Sequence, residues 1–197
     1  MSTLIRASEL VKLPVVTHGG EDVAQIKDVV YAAHGGQIES FTLAGRGLFA
    51  GPLKTALPWG KVTGLGTAAV IIESEDDLVP LAEALATSAH DGPGRGDVLN
   101  SQVLTDQGTA LGTVSDVVIG ILGDPATGQA DVVGYEILPA ETMNKGKQRL
   151  LIPLPDTIAA SGEHLIVPAS ASDYLTDDLA HFGSAVDAFR AQLGEKS

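Results

Sequence analysis

The chain has no cysteine among its 197 residues. That excludes a disulfide framework, thiolate metal sites and a cysteine nucleophile. It also has no apolar run near the ~18 residues that a membrane-spanning helix needs, so membrane insertion is not expected. The opening Met1-Ser-Thr-Leu-Ile-Arg6 lacks a basic segment followed by a long apolar core, and the expectation is a cytoplasmic protein without a signal peptide. Cations are scarce: 12 Lys and Arg stand against 25 Asp and Glu, a net charge of −13. Phosphate backbones are bound by Lys and Arg that release counterions, so nucleic acid is not an expected partner. Only residues 1–72, with five acids and six bases, escape the acidic balance. At 44% hydrophobic residues the chain is not disordered as a whole.

What is present first of all is a repeat. Val16-Thr-His-Gly-Gly20 and the run to Asp28-Val29-Val30 align with Leu104-Thr-Asp-Gln-Gly108 and the run to Asp116-Val117-Val118 at a constant offset of 88. Thr17/Thr105, Gly20/Gly108, Asp28/Asp116, Val29/Val117 and Val30/Val118 are identical, and Val16/Leu104, Val23/Leu111 and Ile26/Val114 stay apolar. With small insertions the match continues: Phe41-Thr-Leu43 with Tyr135-Glu-Ile137, Leu57-Pro58 with Ile152-Pro153, and Ala69-Val-Ile71 with Leu165-Ile-Val167. The second copy is longer at Gly123–Gly128, which is turn chemistry.

Each copy alternates short apolar runs with Gly, Pro and Asp turns, the pattern of a β-barrel or sandwich. About seventy residues suits a small closed barrel, because closure removes exposed edges. The expected class is therefore mainly β: barrels over 4–73 and 97–169, a helix and Gly/Pro linker over 74–96, and an amphipathic C-terminal helix over 170–197. The inter-barrel helix is expected to start at Asp76 or Asp77 with Leu78, Leu81, Ala82, Leu85 and Ala89 on one face. Asp91-Gly-Pro-Gly-Arg-Gly96 reads as the linker. The last helix is expected from about Ser172. Its Leu175, Leu179, Phe182, Val186, Phe189 and Leu193 are spaced 4, 3, 4, 3, 4, a heptad seam. An isolated helix of this length must bury such a stripe, against its own barrels, against a second copy in a homodimer, or against a captured partner.

Arg6-x-Ser8-x-Leu10, Val16, the Gly turn and Asp28-Val29-Val30 resemble the opening of a PRC-barrel domain. Arg46-Gly-Leu-Phe49, Gly51-Pro-Leu and Leu57-Pro58-Trp59 resemble the middle of that barrel in bacterial members. Asp116-Val-Val118, Gly134-Tyr-Glu-Ile137 and Leu151-Ile-Pro153 resemble the same domain again, without the Arg-x-Ser opening. The family includes the cytoplasmic domain of the photosynthetic reaction-centre H subunit, the C-terminal domain of a ribosome maturation factor, and stand-alone prokaryotic proteins. The resemblance implies a tandem, non-catalytic module that docks on other proteins. Shared fold is not shared function.

The residues offer little for catalysis. Gly64-Leu-Gly66-Thr-Ala-Ala69 mimics a dinucleotide fingerprint, but an apolar strand and not a helix follows at Val70–Ile72. Gly60-Lys61 completes no phosphate loop. His18, His34, His90, His164 and His181 show no helical metal spacing, so no metal and no cofactor are expected. Asp28 and Asp116, kept in both copies, read as backbone acceptors and not as a catalytic pair. The Asp124–Asp131 stretch lacks the alternating acids of a calcium loop. Lys145-Gly-Lys-Gln-Arg149 reads as a hairpin tip. Trp59 has two readings, a plug for the first barrel or an interface anchor. Arg46, Phe49, Lys54, Trp59 and Lys61 are the candidate interface on the first barrel; Leu175, Leu179, Phe182, Val186, Phe189 and Leu193 are the candidate on the last helix. The expected function is an adaptor or scaffold and not an enzyme. A small-molecule or ion-binding regulator with a site between the barrels is one alternative, and a ribosome-associated assembly factor is another.

Overall fold

The computed structural model describes residues 2–32, 36–47, 50–88, 98–123, 128–143, 148–154, 159–160 and 163–194. The fold is mainly β, with two sheets, one of them curled into a half-barrel, and a C-terminal helix. Two compact units form: residues 1–94 with 120–131, and residues 95–119 with 132–197. The linker Asp91–Gly96 lies outside the described residues.

In the first unit a strand β1 (Ser2–Arg6) and a short helix α1 (Ala7–Leu10) precede β2 (Pro14–Thr17), β3 (Asp22–Tyr31), β4 (Ile38–Ala44), β5 (Pro52–Pro58), β6 (Val62–Leu65), β7 (Val70–Ile72) and the two-residue β8 (Val79–Pro80). The sheet order is β6-β7-β2-β3-β4-β5-β8. Helix α2 (Leu81–Ser88) packs on β5, β4 and β8. In the second unit β9 (Gln102–Thr105), β10 (Ala110–Leu122), β11 (Gln129–Pro139), β12 (Leu150–Pro153), β13 (Ala159–Ala160) and β14 (His164–Val167) run in the order β12-β11-β10-β9-β14-β13. Helix α3 (Leu179–Gly194) packs on β12.

The two units repeat each other's pairing around the first core strand. Val15 pairs with Ala24, as Val103 pairs with Gly112, and each antiparallel pair bulges at the same place. Val15-Val16-Thr17 runs parallel to Val70-Ile71-Ile72, as Val103-Leu104-Thr105 does to Leu165-Ile166-Val167. That register corrects the alignment of the closing strand by one residue: Val70–Ile72, and not Ala69–Ile71, matches Leu165–Val167. Period-two burial decides it, since Val70, Ile72, Leu165 and Val167 are the buried members.

The shared residues serve the backbone. Thr17 and Thr105 accept hydrogen bonds at Oγ1 from the N–H of Glu21 (3.2 Å) and Thr109 (3.0 Å). Gly20 and Gly108 sit at φ +85° and +82°, where glycine has no steric cost. Lys12 and Asn100, again 88 apart, hold φ +75° and +69°. Their N–H groups donate to Ile26 and Val114 at 2.8 and 2.9 Å.

The repeat also runs through the helices, which start later than their spacing predicts. A 3-10 turn at Glu75–Asp77 precedes β8, where Val79 pairs with Ala56, and then α2. A 3-10 turn at Ala169–Tyr174 precedes Thr176, which bridges Leu151, and then α3. Each helix therefore completes its own unit. The inward residue of α2 is Ala84, while Leu85 faces outward at 41% exposure. The expected apolar face is not the one α2 buries: Leu78 precedes the helix, Leu81 is half-buried, Ala82 is exposed like Leu85, and Ala89 lies outside the described residues.

Gly134 shows how tightly α3 is seated: a Cβ there would collide with the Ile152 carbonyl and the Phe182 ring. Gly134→Ala is expected to lower stability by about 1–3 kcal/mol, and Phe182→Ala by about 3–5 kcal/mol, both read by urea unfolding. Lys12→Asn, which copies the residue of the second unit into a left-handed position, is expected to raise stability by about 1 kcal/mol.

Candidate functional site

The candidate surface of the first unit is built on β3, β4 and β5. Along β5 the side chains alternate, with Pro52 and Lys54 exposed and Ala56 and Leu57 buried near the far end. The three cations expected there differ in state. Arg46 is paired with Asp22 at 2.6 Å, and Lys61 with Asp77 at 3.1 Å. Lys54 is exposed and, among the described residues, has no ion-pair partner. Lys27 on β3 is exposed and likewise unpaired. Phe49 lies outside the described residues.

Trp59 is buried, at 6% exposure, so it is not a surface anchor. Its ring meets Phe41 edge-on at 6.1 Å, and its Nε1–H donates to the Gly128 carbonyl at 3.0 Å. The donor–acceptor pair explains why a lone Trp is retained in an aliphatic core: the indole N–H needs a partner when buried. Gly128 belongs to the 120–131 hairpin that is part of the first unit, where Asp131 also bridges Gln37.

The C-terminal seam is likewise used internally. Phe182, Val186 and Phe189 are buried at 0–4% exposure. Phe189 packs on Tyr174 at 5.3 Å. Leu175 and Leu179 are half-buried, and the side chain of Leu193 falls outside the described residues. The heptad stripe is thus the inner face of α3 and not a free seam, because β12 and the 3-10 turn before it occupy that face.

The carboxylates follow the same logic. Asp28 and Asp116 each accept a hydrogen bond at Oδ1 from the N–H of the next residue at 2.8 Å. Asp77 accepts from the N–H groups of Ser74 and Glu73 at 3.1 Å. The Ser74 N–H, with Lys61 beside it, holds its carboxyl below the ordinary 3.8. Asp178 caps α3, accepting from the Ala180 N–H at 2.8 Å, and this bond together with His181 lowers its pKa too. His18 bridges Thr63 at 3.0 Å and Glu73 at 3.4 Å on the surface. His34 and His90 lie outside the described residues, as do Lys145, Lys147 and Asp124. Among the described residues no group of three or more His, Asp and Glu is placed to hold a metal, and no helix is long and apolar enough to cross a membrane.

One polar cluster was not singled out from the sequence. Glu136 on β11 is 2% exposed. Its Oε1 accepts from Arg149 at 2.6 Å and from the Ser115 hydroxyl at 3.3 Å. The signal was there: Glu136 is the one charged residue in the apolar run Val132–Leu138, and an acid inside such a strand needs a partner.

The family comparison falls on the first unit. Residues 2–79 match the PRC-barrel domain family. The PRC-barrel match runs from β1 to Val79 of β8 and stops before α2. No curated protein matches the chain.

Asp77 and Asp178 are both held below their unfolded pKa. Their stabilisation is therefore full above about pH 3.8 and is lost as pH falls through the lower folded values. Thermal melts from pH 7 downward should show an acid limb that flattens in Asp77→Ala. At pH 7 that variant is expected to lose about 1 kcal/mol, the worth of a capping acceptor.

Proposed function

We propose that the chain is a non-catalytic adaptor made of two PRC-type barrels, residues 97–169 being the second, and that it binds a protein partner through the β3–β4–β5 face of the first barrel. The identical registers, turns and left-handed positions of the two units support the tandem reading. The observation that carries the non-catalytic reading is the use of the repeated acids. Asp28 and Asp116 spend their Oδ1 lone pairs on the neighbouring backbone N–H in both units, which is a structural task.

The interface assignment rests on Lys54. It projects from a strand whose neighbouring cations are already neutralised, on a chain whose net charge is −13. An unpaired cation at the rim of an interface steers association more than it adds affinity. Since α3 is part of the second unit, an adaptor role is best tested on the full chain. Purified full-length protein, cross-linked in its native extract and analysed by mass spectrometry, should yield one stoichiometric protein partner with cross-links at Lys27 or Lys54. Cross-links confined to other lysines would remove the β3–β4–β5 assignment. Recovery of the chain without any protein at stoichiometric level would overturn the adaptor reading.

A further inference from the structure

The two units share a skeleton, so positions that differ between them show what one unit has and the other lacks. Glu136 of the second unit corresponds to Thr42 of the first, because Tyr135 pairs with Ile152 as Phe41 pairs with Leu57. Arg149, two residues before Leu151, corresponds to Lys54, two residues before Ala56, by count along the strand; in the first unit the β4–β5 register shifts between Thr42 and Ala44, which places Lys54 in the shifted stretch. Ser115, just before Asp116, corresponds to Lys27, just before Asp28. In the second unit the three residues make a closed set: a buried carboxylate between a guanidinium and a hydroxyl. In the first unit the carboxylate is gone and both flanking positions are lysines.

Thr42 stands on β4 between the strands that carry those lysines, opposite Asp28 on β3 and Ala56 on β5. Asp28 is its partner across the β3–β4 pair, and the register shift between Ile26 and Asp28 makes Lys27 the extra, bulged residue beside it. Its Oγ1 is buried and, among the described residues, has no hydrogen-bond partner. A buried hydroxyl without a protein partner is a donor and acceptor that a water or a ligand group can satisfy. Two ammonium groups and one hydroxyl are the complement of one carboxylate. Asp28, beside that bulge, has Oδ1 engaged by the Val29 N–H.

We propose that the Lys27–Thr42–Lys54 locus of the first unit is a carboxylate-binding site, filled by an acidic side chain of a protein partner where the second unit uses its own Glu136. This deepens the adaptor reading and rests on it: it names the partner's contact as an Asp or Glu. The ammonium groups supply two charged donors, and the Thr42 hydroxyl supplies a neutral one, as Arg149 and Ser115 do for Glu136. Arg46 and Lys61 take no part, since Asp22 and Asp77 already hold them.

The test uses the full chain, isotope-labelled, titrated with a hexaglutamate peptide and followed by amide NMR, with a hexaglutamine peptide as the uncharged control. Hexaglutamate should shift the amides of Lys27, Thr42 and Lys54 together, and the shifts should fade as salt is raised. The double variant Lys27→Glu/Lys54→Glu should lose these shifts. Thr42→Glu, which restores the acid of the second unit, should also abolish peptide binding while raising Tm by forming an internal pair. Peptide shifts centred elsewhere would overturn the site, as would unchanged binding by Thr42→Glu at wild-type or higher Tm. If hexaglutamate leaves the three residues unmoved while the full chain still cross-links one partner, the carboxylate assignment fails and the adaptor reading stands. If no partner is captured but the three residues respond to hexaglutamate, the locus binds carboxylates and the adaptor reading fails.

Discussion

Each unit depends on a parallel pairing between its first core strand and a strand far along the chain. In the first unit β2 lies beside β7, and in the second β9 lies beside β14. The pairing is continued by the His18 N–H donating to the Ile72 carbonyl at 2.9 Å and by the Asp106 N–H donating to the Val167 carbonyl at 2.8 Å. Closing so long a loop costs entropy before it brings any reward. The compensation is apolar: Val15, Val70, Ile72, Val103 and Leu165 are fully buried, and Val167 nearly so. Every turn and bulge between the two strands must bring the chain back to that one ladder, which is why both units keep the same turn at Thr17–Glu21 and Thr105–Thr109.

That dependence explains what was legible in the sequence. Thr17, Gly20 and Asp28 stand out because each performs a backbone task that few residue types can perform, so their repetition is visible as identity. The parallel closing strands carry no such marker. Ala69–Ile71 and Val70–Ile72 are equally apolar, and only pairing with β2 tells them apart. The helix starts failed for a related reason. Asp76-Asp77 has the composition of a helix cap, but Asp77 turns back to the N–H groups of Glu73 and Ser74, and Val79-Pro80 is drawn into a strand by β5. The apolar stripe of α3 was readable from spacing alone. What it would be buried against was not, since Leu, Phe and Val at heptad spacing suit a sheet as well as a partner helix.

The units also show how little need change for two copies of one skeleton to differ in character. At the third residue after each helix start, the first unit has Ala84 and the second has Phe182, and both are buried. Opposite Phe182 the second unit has Gly134, whose missing side chain lets the ring lie on the strand. The first unit has Ser40 at that position. A large residue on the helix with none on the strand has been exchanged for a small residue on each. Such paired exchanges keep interior volume roughly constant while altering the polarity of the space enclosed. The acid at Glu136 and the lysines at Lys27 and Lys54 are the charged version of the same trade.

The first unit is not a continuous stretch of chain, since it takes in residues 120–131 as well as residues 1–94. A protein is made from its N-terminus, so the first barrel cannot be finished when its own strands have left the ribosome. Trp59 waits for the Gly128 carbonyl, and Gln37 for Asp131, until well into the translation of the second copy. During that interval the indole of the nascent chain lacks its final cover. Order of synthesis and order of completion therefore differ in this molecule.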